Sequence, residues 1–227
     1  MQQSDLKPAK LFAQQFGVKA IIFGGPGSGK TPIINTCPRP VLLATEPGLL
    51  SMRGSNVPTY LGFDTRAIDD FFAWFFTSNE TKNFDTLAID SSSQMADTYL
   101  QGALSGKSKN GNRKHGMAAY GEMAEETIKH LRQLYYTREK HVYMIAKEIT
   151  EDAGFRRPYY PGKQLNADVP FLYDEILHLG IHNVPGMGQV KSFQCQGSID
   201  ILARDRTGSL AEYEAPNFGA LIKKCMA

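Results

Sequence analysis

Gly24-Gly25-Pro26-Gly27-Ser28-Gly29-Lys30-Thr31 fits the pattern G-x-x-x-x-G-K-[ST] at every fixed position, directly after an apolar, β-branched run, Lys19-Ala20-Ile21-Ile22-Phe23. A strand that ends in such a segment is the signature of a phosphate-binding loop, a P-loop or Walker A element. The chemistry asks for these residue types because a polyphosphate must be ringed by backbone N–H donors, and glycine lets the chain curl tightly enough for several amides to converge. Lys30 is expected to reach the β- and γ-phosphates and Thr31 to hold Mg²⁺. The helix expected after Thr31 would turn its positive end toward the same anion. The implied ligands are ATP and Mg²⁺.

Working outward, Pro32 suits a first helical turn, while Pro38 and Pro40 stop that helix early. A second strand follows at Val41–Ala44, and residues 57–63 offer another short one. Asp64 and Thr65 can cap a helix that carries Ile68, Phe71, Phe72, Phe75 and Phe76 on one side, a spacing that means core packing. Phe84 to Ser91 is a buried strand ending in an acid. Residues 119–136 are periodic as an amphipathic helix, and His141–Ala146 is one more strand. This alternation predicts an α/β fold with a mostly parallel sheet and helices on both faces. From about Glu175 the strands follow one another without helices, at 175–181, 190–194 and 199–203, and are expected to extend the sheet as antiparallel strands.

The chain has 227 residues and a formal charge of +2. That length suits one α/β domain over 1–227, with residues 1–18 as an N-terminal arm and 175–227 as the strand extension. So small a net charge does not argue for nucleic acid, and any basic footprint has to be local. Cys37, Cys195 and Cys225 are far apart and form no C-x-x-C, which excludes a disulfide framework or zinc ribbon and fits a reducing cytoplasm. The aromatic run Phe71–Phe76 is far too short to span a bilayer, so no membrane partner is expected.

A P-loop enzyme needs a second carboxylate at the end of a neighbouring strand to orient the metal's water shell, and Asp90 is placed for it. As an alternative, Asp90 caps the next helix. Glu46, just past the second strand, can converge with Asp90 at one sheet edge and act on the attacking water, or be a solvated loop acid. Lys30, Glu46 and Asp90 are thus the candidate catalytic set, with Thr31 and Asp90 the candidate metal ligands. Two further segments suit contact more than packing. Residues 102–118 hold Lys107, Lys109, Arg113 and Lys114 among glycines with no acid, which suits phosphate backbones or simply water. Residues 147–163 interleave Phe155, Arg156, Arg157 and Tyr159, a mixture suited to base stacking with phosphate pairing, or to a packed loop lid.

Taken together, these residues resemble the RecA/RadA recombinase core, specifically the minimal phage-encoded RecA-like proteins grouped with single-strand annealing proteins. In that superfamily the strand after the P-loop ends in a Thr-Glu-Gly-like sequence whose Glu is the catalytic base. Here Thr45-Glu46-Pro47-Gly48 stands there with one inserted Pro. Asp90-Ser91 looks like the Walker B end, residues 105–118 and 150–162 fall where two DNA-facing loops lie, and Pro161-Gly162-Lys163, Tyr173-Asp174-Glu175 and Ala203-Arg204-Asp205-Arg206 resemble later motifs of the phage group. The resemblance implies a DNA-stimulated ATPase that binds single-stranded DNA in phage recombination, in the host cytoplasm, as a ring or filament of identical subunits, with a single-strand-binding protein as a further partner. Where the superfamily often has a polar amide sensing the γ-phosphate, this chain has Lys147-Glu148: either Lys147 takes that role or the coupling of ATP to DNA differs. Residues 1–18 show no separate domain and no clear polymerisation motif. Two other classes fit a P-loop with a short following helix: a nucleotide or small-molecule kinase, which needs an arginine lid that only Arg156 and Arg157 could supply, and a non-catalytic ATP-binding switch or assembly factor.

Overall fold

The computed structural model describes residues 6–106 and 116–227, with the short helix α1 (Ala9–Ala13) ahead of the sheet. Its centre is β1 (Lys19–Phe23), every residue of which is buried. A strand covered on both faces must be apolar throughout, which is why this run reads as continuous rather than alternating. Five strands run parallel to it or to one another: β2 (Pro40–Ala44), β3 (Thr59–Leu61), β4 (Thr86–Asp90), β5 (His141–Ile145) and β8 (Glu175–Val184). With β9 (Gly188–Gln194), β10 (Arg204–Asp205) and β11 (Tyr213–Glu214), the sheet has nine strands in the order β11-β9-β8-β1-β5-β4-β2-β3, with β10 also on β8. A separate hairpin pairs β6 (Lys147–Thr150) with β7 (Arg156–Tyr159).

Both sheet faces are covered. Ile21, Phe23, Leu43, Ile89 and Met144 meet α2 (Thr65–Thr77), α3 (Ser92–Ser105), α4 (Gly116–Tyr136) and α5 (Lys163–Leu172). Ala20, Ile22, Leu42, Tyr143 and Phe193 meet the short 3-10 turn at Thr31–Thr36 and α6 (Phe218–Cys225) on the other. Asp64 caps α2 as its sequence suggests, accepting from the Ala67 amide at 2.8 Å.

Three expectations change. The helix after the P-loop is not α-helical but a six-residue 3-10 turn, so loop amides rather than a helix end must supply the donors; Pro32 sits in its first turn and removes an amide there. The strand at 175–184 is parallel to β1, and the antiparallel additions begin only with β9. It can be parallel because residues 147–172, a hairpin and α5, carry the chain back across the sheet from β5. Residues 199–203 contribute a single bridge, Arg156 to Ile201, and β10 lies beyond them.

Candidate active site

In a parallel sheet the carboxyl ends of the strands open onto one edge, and here that edge gathers the loops after β1, β2, β4 and β5. The loop Gly24–Thr31 needs glycine for its shape: φ is +157° at Gly24, +75° at Gly27 and +87° at Gly29, values that L side chains rarely adopt. A Cβ on Gly24 would also lie 2.2 Å from the Leu179 carbonyl on β8. The Lys30 ammonium folds onto the loop, donating to the carbonyls of Gly24 (2.6 Å) and Gly25 (3.0 Å) and to Ser28 Oγ (3.3 Å). Behind it, the buried Tyr143 hydroxyl on β5 donates to the Lys30 carbonyl at 2.9 Å.

Thr31 and Asp90 meet directly, Thr31 Oγ1 donating to Asp90 Oδ2 at 2.6 Å. Hydroxyl and carboxylate oxygens are hard donors, the set Mg²⁺ takes alongside phosphate oxygens. The residues present therefore fit a metal–nucleotide complex: Thr31 and Asp90 for the ion, the loop amides and Lys30 for the phosphates. Burial raises the Asp90 carboxyl above the usual carboxylate range, with the Thr31 hydrogen bond opposing the shift and Glu46 adding to it. Burial likewise lowers Lys30, against the pull of Asp90, Glu148 and Glu46. A bound divalent ion would favour the ionised form of Asp90.

Glu46 is placed by its neighbour. The Thr45 amide donates to the Asp90 carbonyl at 2.8 Å, while Thr45 Oγ1 both donates to the Ser91 carbonyl (2.8 Å) and accepts from the Ser91 amide (2.9 Å). This buried staple fastens the end of β2 to the end of β4, so the half-buried Glu46 shares a field with Asp90 and Lys30. Ser92 and Ser93 then tie α3 to the next strand and hairpin, through the Ile145 carbonyl (2.9 Å) and the Tyr159 carbonyl (2.6 Å).

Lys147 stands elsewhere than the loop. Its ammonium donates to Gln94 Oε1 (2.8 Å) and Asp97 Oδ2 (3.1 Å) on α3. The neighbouring Glu148 faces the P-loop instead, its Oε1 4.0 Å from where a Cβ on Gly25 would lie. Lys191, on β9, also reaches the loop: its Nζ occupies the space that a side chain at Gly29 would need. Sequence spacing missed both, because Glu148 and Lys191 arrive from a hairpin and an antiparallel strand that carry no motif of their own.

Of the other contact candidates, Arg156 pairs with Asp200 at 2.9 Å, and Arg157 pairs with Glu151 at 2.5 Å and donates to Asn166 Oδ1 at 2.6 Å. Phe155 and Tyr159 are half-buried on the same hairpin. Lys107, Lys109, Arg113 and Lys114 lie outside the described residues. Asp69, Glu126 and His130 also bring ligand atoms together, on α2 and α4, but Asp69 Oδ1 there already joins His130 Nε2 (2.9 Å) and the Tyr99 hydroxyl (2.7 Å). Among the described residues no helix is long and apolar enough to cross a membrane.

The family described as AAA domain matches residues 17–207, the whole span from β1 past β10, and the chain belongs to it. That membership makes the chain a P-loop ATPase-type domain, and the matched span includes the glycine-rich segment Gly24–Thr31. No curated protein matches the sequence. Among solved structures, the chain is similar to a KaiC-like protein, PH0186, from the hyperthermophilic archaeon Pyrococcus horikoshii OT3, at 13% identity and a TM-score of 0.46, over 88% of this chain and 82% of that one.

Proposed function

We propose that the protein is a Mg²⁺-dependent ATPase that binds single-stranded DNA and serves annealing or strand exchange in phage recombination, in the host cytoplasm. The observation that carries the ATPase part of the reading is the 2.6 Å contact between Thr31 and Asp90, with Lys30 and Glu46 in the same field. Bound with ATP, Mg²⁺ would neutralise phosphate charge and fix the terminal phosphoryl for attack. Loop amides and Lys30 would hold the phosphates, Thr31 and Asp90 would hold the ion, and Glu46 would accept the proton of the attacking water.

The nucleic-acid part rests on the hairpin and on the basic segment at 107–114. Arg156 is engaged in a partly exposed ion pair with Asp200, of the kind worth about 0–1 kcal/mol and open to exchange for a phosphate, while Arg157 is held more deeply by Glu151, the Pro158 carbonyl and Asn166. Phe155 and Tyr159 supply ring faces beside them. Identical subunits assembled as a ring or filament would line up these hairpins along one strand, and a single-strand-binding protein is the partner such a substrate brings.

ATP turnover measured with and without single-stranded DNA tests the reading. Stimulation by DNA supports it. Turnover without stimulation but with phosphate passed to an acceptor favours a kinase, and nucleotide binding with no turnover favours a switch or assembly factor.

A further inference from the structure

On β8, His178, Gly180 and His182 point to the same face, because alternate residues of a strand do. Two side chains four residues apart on a strand start roughly 13 Å apart, and the residue between them normally fills the space in which they could meet. Here that residue is glycine, whose φ is not in the left-handed region, so its value lies in space: a Cβ would sit 2.9 Å from His178 Cε1 and 3.3 Å from His182 Nε2. The two imidazoles meet across the gap, His178 Nδ1 to His182 Nε2 at 2.9 Å. At one end of the pair His182 Nδ1 lies 2.8 Å from Ser192 Oγ on β9, and at the other His178 Nε2 lies 2.9 Å from Glu148 Oε2. Both rings are buried, and the Glu148 side chain is 15% exposed.

A buried chain of this kind is stable only if each donor meets an acceptor. With the Glu148 carboxylate as the acceptor at the end of the chain, one arrangement satisfies every link with both rings neutral. The Ser192 hydroxyl donates to His182 Nδ1, His182 Nε2–H donates to His178 Nδ1, and His178 Nε2–H donates to Glu148 Oε2. All donors then point toward the carboxylate, whose orientation they fix. Oε1 is left facing the P-loop, where Glu148 acts on the Lys30 ammonium together with Glu46.

We propose that His178 and His182, seated on Ser192 and joined across Gly180, are positioning residues that fix Glu148 as a second carboxylate, beside Glu46, to orient the water that attacks the terminal phosphate. The proposal rests on the ATPase reading above. Glu148 touches the reacting water; the histidines act only through it.

The test compares steady-state ATP turnover of Glu148→Gln, His178→Ala, Gly180→Ala and the Glu148→Gln/His178→Ala double variant with wild type and Lys30→Ala. Glu148→Gln and His178→Ala should each lower kcat about 10- to 100-fold with KM for ATP changed less than about threefold, the split expected when ground-state binding is spared. Because they act as one unit, the double variant should be no slower than the slower single variant. Gly180→Ala should reproduce the His178 defect. A wild-type kcat in Glu148→Gln, or multiplicative losses in the double variant, overturns the proposal while Lys30-dependent turnover still stands. Absence of Lys30-dependent turnover in the wild type overturns the ATPase reading and this one with it. Should the histidine variants not fold, ¹⁵N imidazole spectra of the wild-type protein at neutral pH decide: both rings are expected as Nε2–H tautomers, and an Nδ1–H tautomer or an imidazolium at His178 overturns the arrangement.

Discussion

Lys30 fills no core space, and its ammonium is bonded to its own loop, which on the proposed reading it would leave for the phosphates. Lys30→Ala should therefore abolish turnover while leaving the unfolding midpoint within a few degrees of wild type, as read by a nucleotide assay and a thermal melt. Asp90→Asn keeps the size of the side chain and can still accept from Thr31, but it offers the ion no charge. Mg²⁺-dependent turnover should fall more than nucleotide affinity does, measured by titrating Mg²⁺ at saturating ATP. Glu46→Gln should bind ATP nearly as wild type does and hydrolyse it on the order of a hundredfold more slowly, the range for losing a general base. Thr45→Val probes how Glu46 is held. It leaves the buried Ser91 amide and carbonyl without the Thr45 hydroxyl, which should cost about 1–3 kcal/mol of unfolding free energy in a urea titration and slow turnover as well.

The hairpin of β6 and β7 is the element that connects the nucleotide site to the candidate DNA surface, since Glu148 lies on its first strand and Arg156 on its second. Replacing Arg156 and Arg157 by Gln should flatten the log–log salt dependence of single-strand binding by up to about 1.4, roughly 0.7 per phosphate contact. Replacing Phe155 and Tyr159 by Ala should lower affinity with little change in that slope, because stacking releases no counterions. Filter binding across a salt series reads both, and an unchanged slope in the arginine variant removes those residues from the interface. The same element shows where sequence reading stops. The P-loop, Asp90 and Glu46 were legible because each sits at a fixed place after an apolar strand, and a parallel sheet brings strand ends together. The hairpin, α5 and the return of β8 to the side of β1 were not, because residues 147–172 mix polar and apolar side chains without a clear period. Glu148 and the His178–His182 pair went unread for the same reason, though His-x-Gly-x-His on a strand is a pattern with a physical meaning once the strand is known.

At the scale of the molecule, the site's edge and the opposite edge of the sheet obey different electrostatics. Burial, then Asp205 beside it, pushes the Glu175 carboxyl up to about 8 at the start of β8. An acid whose folded value is raised binds more protons folded than unfolded, so its contribution is full below its ordinary range and is lost as pH rises through about 8. The urea midpoint should fall between pH 6.5 and 8.5 in the wild type and fall less in Glu175→Gln. His141 works in the other direction. It accepts the Val18 amide at 3.0 Å, and burial lowers it to about 4, so its contribution is lost as pH falls from about 6.5 through 4. Neither group lies at the nucleotide edge, so turnover near neutral pH should not follow these stability changes. The most direct test of the account is turnover of ATP with Mg²⁺ by the wild-type chain and by Lys30→Ala, each with and without single-stranded DNA. The account predicts hydrolysis that needs Mg²⁺, rises with DNA and disappears in Lys30→Ala; hydrolysis that survives the loss of Lys30 would contradict it.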